Sequence, residues 1–179
     1  FKAGMLTAGA ILTYRSNDIY HQFYEDGEYS DAFSNDLLHT ELIPAAYVLF
    51  SSKIGKKFTY KAGLRGEFST VTLTSSHEGL DVRNNDFFVS PSLSGTLRLA
   101  ENQELSLAFS RRVGRPAYPQ LNPYMSMVDA TTYEQGNMHL RPEKSSKLDL
   151  GYNLKSSKVQ IFADAYVNYT TDYISQITK

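Results

Sequence analysis

Apolar residues recur at every second position through most of this chain. From Phe58 to Phe68 the even positions are Phe58, Tyr60, Ala62, Leu64, Gly66 and Phe68, and the odd ones between are Thr59, Lys61, Gly63, Arg65 and Glu67. Successive side chains of a strand point to opposite faces, so a strand here has one apolar and one charged face. The pattern repeats over 87–99, where Phe87, Val89, Leu93, Leu97 and Leu99 stand opposite Ser90, Ser92, Ser94, Thr96 and Arg98. It returns with Leu105, Leu107 and Phe109, then with Leu148, Leu150, Tyr152 and Leu154. The last strand sets Val159, Ile161, Ala163, Ala165, Val167 and Tyr169 against a polar face that also carries Phe162 and Tyr166. A strand over roughly 3–15 opens the chain. One near 41–53 is less regular, because Pro44 lacks a ladder donor, and regular pairing is expected to begin after it.

The connections alternate in length. Ile54-Gly55-Lys56, Ala100-Glu101-Asn102-Gln103 and Lys155-Ser156-Ser157 read as tight hairpin turns. Between them fall long links at about 16–40, 74–86 and 113–144. Short turns at one end of the strands and long loops at the other mark a bacterial outer-membrane barrel. Strand length agrees, since a tilted strand needs about 9–11 residues to cross the hydrocarbon, whereas strands of globular proteins run about 5–6. The expected architecture is all-β, an antiparallel up-and-down meander of about seven long strands forming part of a transmembrane β-barrel. Seven is odd, and single-chain bacterial barrels have even numbers, so the wall is not expected to close within these strands. Both ends read as interior sequence, and residues 1–179 are taken as one partial barrel domain, with signal peptide, plug and remaining strands outside it.

Composition narrows the field. The net charge of −1 gives no electrostatic case for nucleic acid. There is no Cys, so no disulfide framework exists. No stretch approaches the ~18 apolar residues of a membrane-spanning helix, which leaves a barrel untouched. Tyr and Phe crowd the strand ends, where barrels carry aromatic girdles and where good strand formers also pack across strands.

Ser110-Arg111-Arg112-Val113-Gly114-Arg115-Pro116-Ala117-Tyr118-Pro119-Gln120-Leu121-Asn122-Pro123-Tyr124 is more particular. It resembles the Ser-Arg-Arg-x-x-Arg-Pro-x-Tyr-x-x-Leu-Asn-Pro-aromatic signature of an outer-membrane β-barrel family common in Bacteroidetes, TonB-dependent receptor-like proteins. The resemblance continues through Thr132-Tyr133-Glu134-Gln135-Gly136-Asn137-Met138-His139-Leu140-Arg141-Pro142-Glu143. Ala45-Ala46-Tyr47, Ala62-Gly63-Leu64-Arg65-Gly66-Glu67 and Pro91-Ser92-Leu93 are similar to the family's strand motifs. It implies energy-coupled uptake of a nutrient across the outer membrane, non-enzymatic, by a barrel with an amino-terminal plug. The implied partners are outer-membrane lipid, a TonB-type energy-coupling protein acting through the plug, and a surface lipoprotein.

Arg111, Arg112 and Arg115 carry guanidinium forks that match carboxylate and phosphate. Pairing with lumenal, plug or loop carboxylates is favoured over ligand binding, since polar barrel interiors need such pairs. With Tyr118, Asn122 and Tyr124 these arginines form the candidate set for ligand binding or for support of plug and loop. Their segment and 132–143 are expected to make one ordered loop, because four prolines lower the entropy lost on ordering. His21, His39, His77 and His139 have no metal-ligand spacing. Asp81, Asn84, Asn85 and Asp86 read as a hydrated turn sooner than a calcium loop. No nucleophile elbow, phosphate loop or dinucleotide fingerprint occurs, and no catalytic residue, metal or cofactor is nominated. The rival function is a soluble or secreted all-β ligand-binding module of carbohydrate-binding type, which would bury the apolar face between two sheets.

Overall fold

The computed structural model describes residues 4–75, 79–128 and 132–177. Seven long strands form one antiparallel sheet. They are β1 (Met5–Glu25), β2 (Glu28–Ile54), β3 (Phe58–Ser75), β4 (Leu80–Ala100), β5 (Gln103–Gly114), β8 (Glu143–Lys155) and β9 (Gln160–Thr171). The order β1-β2-β3-β4-β5-β8-β9 makes each a partner of its neighbours in the chain. Between β5 and β8 lie a four-residue helix α1 (Tyr118–Leu121) and a minimal hairpin of β6 (Ser126–Met127) and β7 (Tyr133–Glu134). The turns after β2, β4 and β8 are short, as expected.

Two of the three long links are not loops. Residues 16–40 continue β1 and β2 as a ladder, with Ser16 opposite Thr40 and Ile19 opposite Leu37. The hairpin turns at Asp26-Gly27, both at positive φ (52° and 84°). Asp-Gly is the strongest short-range hairpin signal, and it stands in the sequence. Residues 74–86 likewise lie mostly in β3 and β4, so Asp81, Asn84, Asn85 and Asp86 are strand residues, not a hydrated turn. His77 lies outside the described residues.

Pro44 does not delay β2. It pairs with Leu12 of β1, while the ladder to β3 skips only the positions between Leu42–Thr70 and Ala45–Glu67. Proline's φ suits an extended strand, so its missing N–H interrupts one side without ending the strand. Pro91 acts similarly in β4: it pairs with Leu64 of β3, and the ladder to β5 starts at Ser92.

The register carries each parity coherently across the sheet. Tyr60, Gly95, Leu107, Leu150 and Ala165 fall in one row, and Lys61, Ser94, Ala108 and Asp149 in the next. The first row belongs to a face with exposed Leu6, Leu12, Leu64, Leu93, Leu148 and Val167. The second belongs to the face that the 115–142 segment partly covers. The sheet has no second large sheet against it among the described residues.

Candidate functional site

Beyond Phe68 and Phe87, which pair across β3 and β4, the alternation changes phase. The outward positions turn from Leu64 and Phe68 to Thr70, Thr72 and Thr74, and from Val89 and Phe87 to Asn85, Arg83 and Asp81. The inward positions change the opposite way, from Lys61, Arg65 and Glu67 to Val71 and Leu73, opposite Asn84 and Val82. Nearer the short turns the outer face is apolar and the inner one polar. Beyond the Phe68–Phe87 pair the outer face is made for water, and the inner face is made to be dried by something resting on it.

Residues 115–128 and 132–142 supply that cover. Leu121 is 2% exposed and packs with Leu37 and Leu73, both at 0%. Tyr118, Tyr124, Met138 and Leu140 join this core from the segment; Val71, Leu80 and Val82 join it from the wall. Within the segment, the Gln120 side chain accepts from the Ala117 N–H (2.7 Å) at the start of α1. The Asn122 N–H closes the turn on the Tyr118 carbonyl (3.1 Å), and the Asn122 Oδ1 accepts from the Tyr124 N–H (3.1 Å). The second half is joined to the first: Gly136 N–H donates to the Asn122 carbonyl and Asn137 N–H to the Gln120 carbonyl, each at 2.7 Å. A Cβ on Gly136 would sit 2.5 Å from the Gln120 oxygen, so only glycine allows this approach. The segments 111–124 and 132–143 therefore form one ordered unit. It is pinned to β4 by Asn84 Nδ2 donating to the Met138 carbonyl (3.0 Å).

Electrostatics tie its base. Arg115 donates to Glu67, a carboxylate only 6% exposed on β3, and to Ser69 Oγ (3.4 Å), with its guanidinium 6.0 Å from the Phe88 ring centre. Arg65 supplies a second cation to Glu67 at 3.0 Å. Further out, where the outer face has already turned polar, His39 lies buried beneath Tyr118, ring centres 5.9 Å apart. Asn17 approaches its Nδ1 (3.2 Å), and Glu41, which also holds Arg15 at 3.0 Å, stands 3.8 Å from its Nε2. Burial holds His39 below its ordinary pKa and raises that of the Tyr118 hydroxyl. The cavity between cover and wall, among Glu41, Ser69, Asn84, Asp86 and Arg115, measures about 20 Å³. That is room for one water, not for a nutrient. No group of three or more His, Asp or Glu is placed to hold a metal ion among the described residues.

The three arginines are not one cluster. Arg115 is the structural pair just described. Arg112, opposite Ser145, is exposed on the inward parity of β5. Arg111, opposite Ser146, is exposed on the outward parity beyond Phe109. Tyr118, Asn122 and Tyr124 are internal to the cover. Sequence reasoning missed Glu67, His39, Leu37 and Leu73 as its wall partners; the signal for them was the change of phase along β3 and β4.

A one-layer antiparallel sheet with an outward apolar belt is the wall of a membrane-spanning β-barrel, where strands need only alternate. The chain belongs to the outer membrane protein beta-barrel family, whose profile matches residues 1–179, and its place is the bacterial outer membrane. Solved structures similar to it include an uptake receptor and a copper transporter. The ferric yersiniabactin uptake receptor FyuA from Yersinia pestis has a TM-score of 0.65 at 16% identity, covering 97% of this chain and 27% of the receptor. The copper transporter OprC has a TM-score of 0.68 at 20% identity, covering 97% of this chain and 29% of the transporter. The chain thus spans less than a third of either. A search of curated protein sequences gives no match. A soluble binding module finds no support: its apolar parity would be buried between two sheets, and here that parity is exposed.

Proposed function

We propose that this chain is wall of a TonB-dependent receptor-like transporter, non-enzymatic, which takes up a nutrient across the outer membrane with energy coupled through a plug. The observation that carries this is the folded cover over the outer end of the lumenal face. This cover, packed on Leu37 and Leu73, narrows the outer end of the lumenal face, as suits an uptake barrel that is not an open pore. The likeness of the wall to an uptake receptor and a transporter supports the same reading. The cover shapes the extracellular mouth, with Arg115, Tyr118, Asn122 and Tyr124 as its internal supports. Arg112, exposed and on the inward parity, is the cation offered to an anionic ligand or to the plug.

The test uses the intact receptor in its own cell. Arg112→Ala and Arg115→Ala are scored separately for barrel assembly, by heat-modifiable mobility, and for uptake. Uptake lost with normal assembly is expected for Arg112→Ala. Uptake that survives removal of the TonB-type energy-coupling protein would overturn the coupled-transport reading.

A further inference from the structure

On the lipid-facing parity, β4 carries a vacancy. Gly95 is flanked along its own strand by Leu93 and Leu97, and across the ladders by Tyr60 of β3 and Leu107 of β5. Four large side chains therefore surround a position with none. The result is a cavity of about 290 Å³, lined by these residues and by Phe58 and Phe109 and open to the outside of the wall. The strands on both sides of β4 are present, so the hollow belongs to the wall itself and is not an unfinished edge. Gly95 has no positive φ that would explain glycine there. An ideal Cβ would instead come within 3.0 Å of the Phe58 ring. The Phe58 ring therefore leans over the glycine and forms one wall of the hollow, the others being Leu93, Leu97, Tyr60 and Leu107.

Hydrocarbon surrounds this face in the outer membrane, and burial from water drives nothing there. A seat in a bilayer selects by close packing and by the polar group at its end. The hollow lies toward the short turns, which in outer-membrane barrels face the periplasm. Phe58, at its edge, directly follows the turn Gly55-Lys56-Lys57, where Lys56 and Lys57 are both exposed. The neighbouring turn brings Glu101, while Glu104 is engaged by Arg98 at 3.4 Å. Cations thus outnumber free anions beside the hollow, at the level where inner-leaflet headgroups lie.

We propose that the Gly95 hollow is a binding site for one acyl chain of an anionic glycerophospholipid in the periplasmic leaflet, with the Lys56–Lys57 turn holding its phosphate. Its apolar lining suits a hydrocarbon chain and offers almost no partner to a polar headgroup. The lipid would fasten the barrel's periplasmic rim at β3–β5 and pack into the hollow beside the Phe58 ring.

The experiment uses the full-length receptor in phosphatidylethanolamine vesicles containing either phosphatidylglycerol or phosphatidylcholine. Lipid retained through detergent exchange is read by native mass spectrometry. Wild type is expected to keep a phosphatidylglycerol and to prefer it over phosphatidylcholine. Leu107→Trp, which fills the hollow from the facing strand, and Gly95→Val should abolish retention. Leu12→Trp, on the same face but far from Gly95, should leave it unchanged. Lys56→Glu with Lys57→Glu, in an exposed turn, should erase the headgroup preference, and serves if the hollow-filling variants fail to assemble. Equal retention by wild type and Leu107→Trp, loss by Leu12→Trp, or no headgroup preference in wild type would each overturn the site and leave ordinary annular lipid.

Discussion

Arg115→Ala puts the docking of the cover to the test. Glu67 is 6% exposed, and its two cations differ: the Arg115 side chain is 19% exposed and that of Arg65 40%. Removing one partner of a buried pair costs about 3–5 kcal/mol when the other charge is left uncompensated. Here Arg65 stays on the carboxylate, but from a half-wet position, which lowers the cost to about 2–3 kcal/mol. Arg115 joins the cover to the wall, not one wall strand to another, so the cost falls on docking. At about 1.4 kcal/mol per factor of ten, the cover opens roughly thirty to a hundred and forty times more often. Hydrogen exchange in the intact receptor reads this directly at the Gly136 and Asn137 amides, which are bonded inside the cover. Glu67→Gln removes the charge that needs a partner, so the double variant should lose less than the sum of the single losses. Unchanged exchange at those amides in Arg115→Ala would refute the reasoning. So would equal loosening of the amides of β3 and β4, because the pair would then be holding the wall.

Three further outcomes are expected. Leu150→Arg, on the exposed apolar parity, should cost about 2–4 kcal/mol of folding into a bilayer, while Asn153→Arg on the other parity is mild; equal losses in a bilayer folding assay would contradict the membrane face. Gly136→Ala should undock the cover while leaving the barrel assembled, seen as new protease cleavage within 115–142 and unaltered heat-modifiable mobility. His39 is neutral in the docked state because burial lowers its pKa, so an undocked His39 takes up a proton first as pH falls through its ordinary value of about 6.5. Docking should accordingly be constant above about pH 7 and weaken toward pH 5, with exchange in 115–142 as the readout, and His39→Gln should flatten the profile.

The wall was legible in the sequence because strand parity is a local property. Leu64 and Arg65 declare opposite faces whatever lies around them, and turns such as Ile54-Gly55-Lys56 mark one end of the strands without knowledge of the rest. The ordered loop was also legible, from its prolines, aromatics and motif. Where reading failed, the environment had changed along one strand. Above the Phe68–Phe87 pair, water replaces lipid outside and the cover replaces lumen inside, so the apolar parity moves to the other face and the region passes for loop. Tertiary structure alone decided the rest. Arg115 meets Glu67 across 48 residues of chain, and Leu121 meets Leu37 and Leu73. Arg111 and Arg112 part to opposite faces because they are adjacent in a strand. Gly95 becomes a hollow because β3 and β5 set Tyr60 and Leu107 beside it. Alternation is written residue by residue, whereas which side chain dries or neutralises another depends on register and on chain returning from far away.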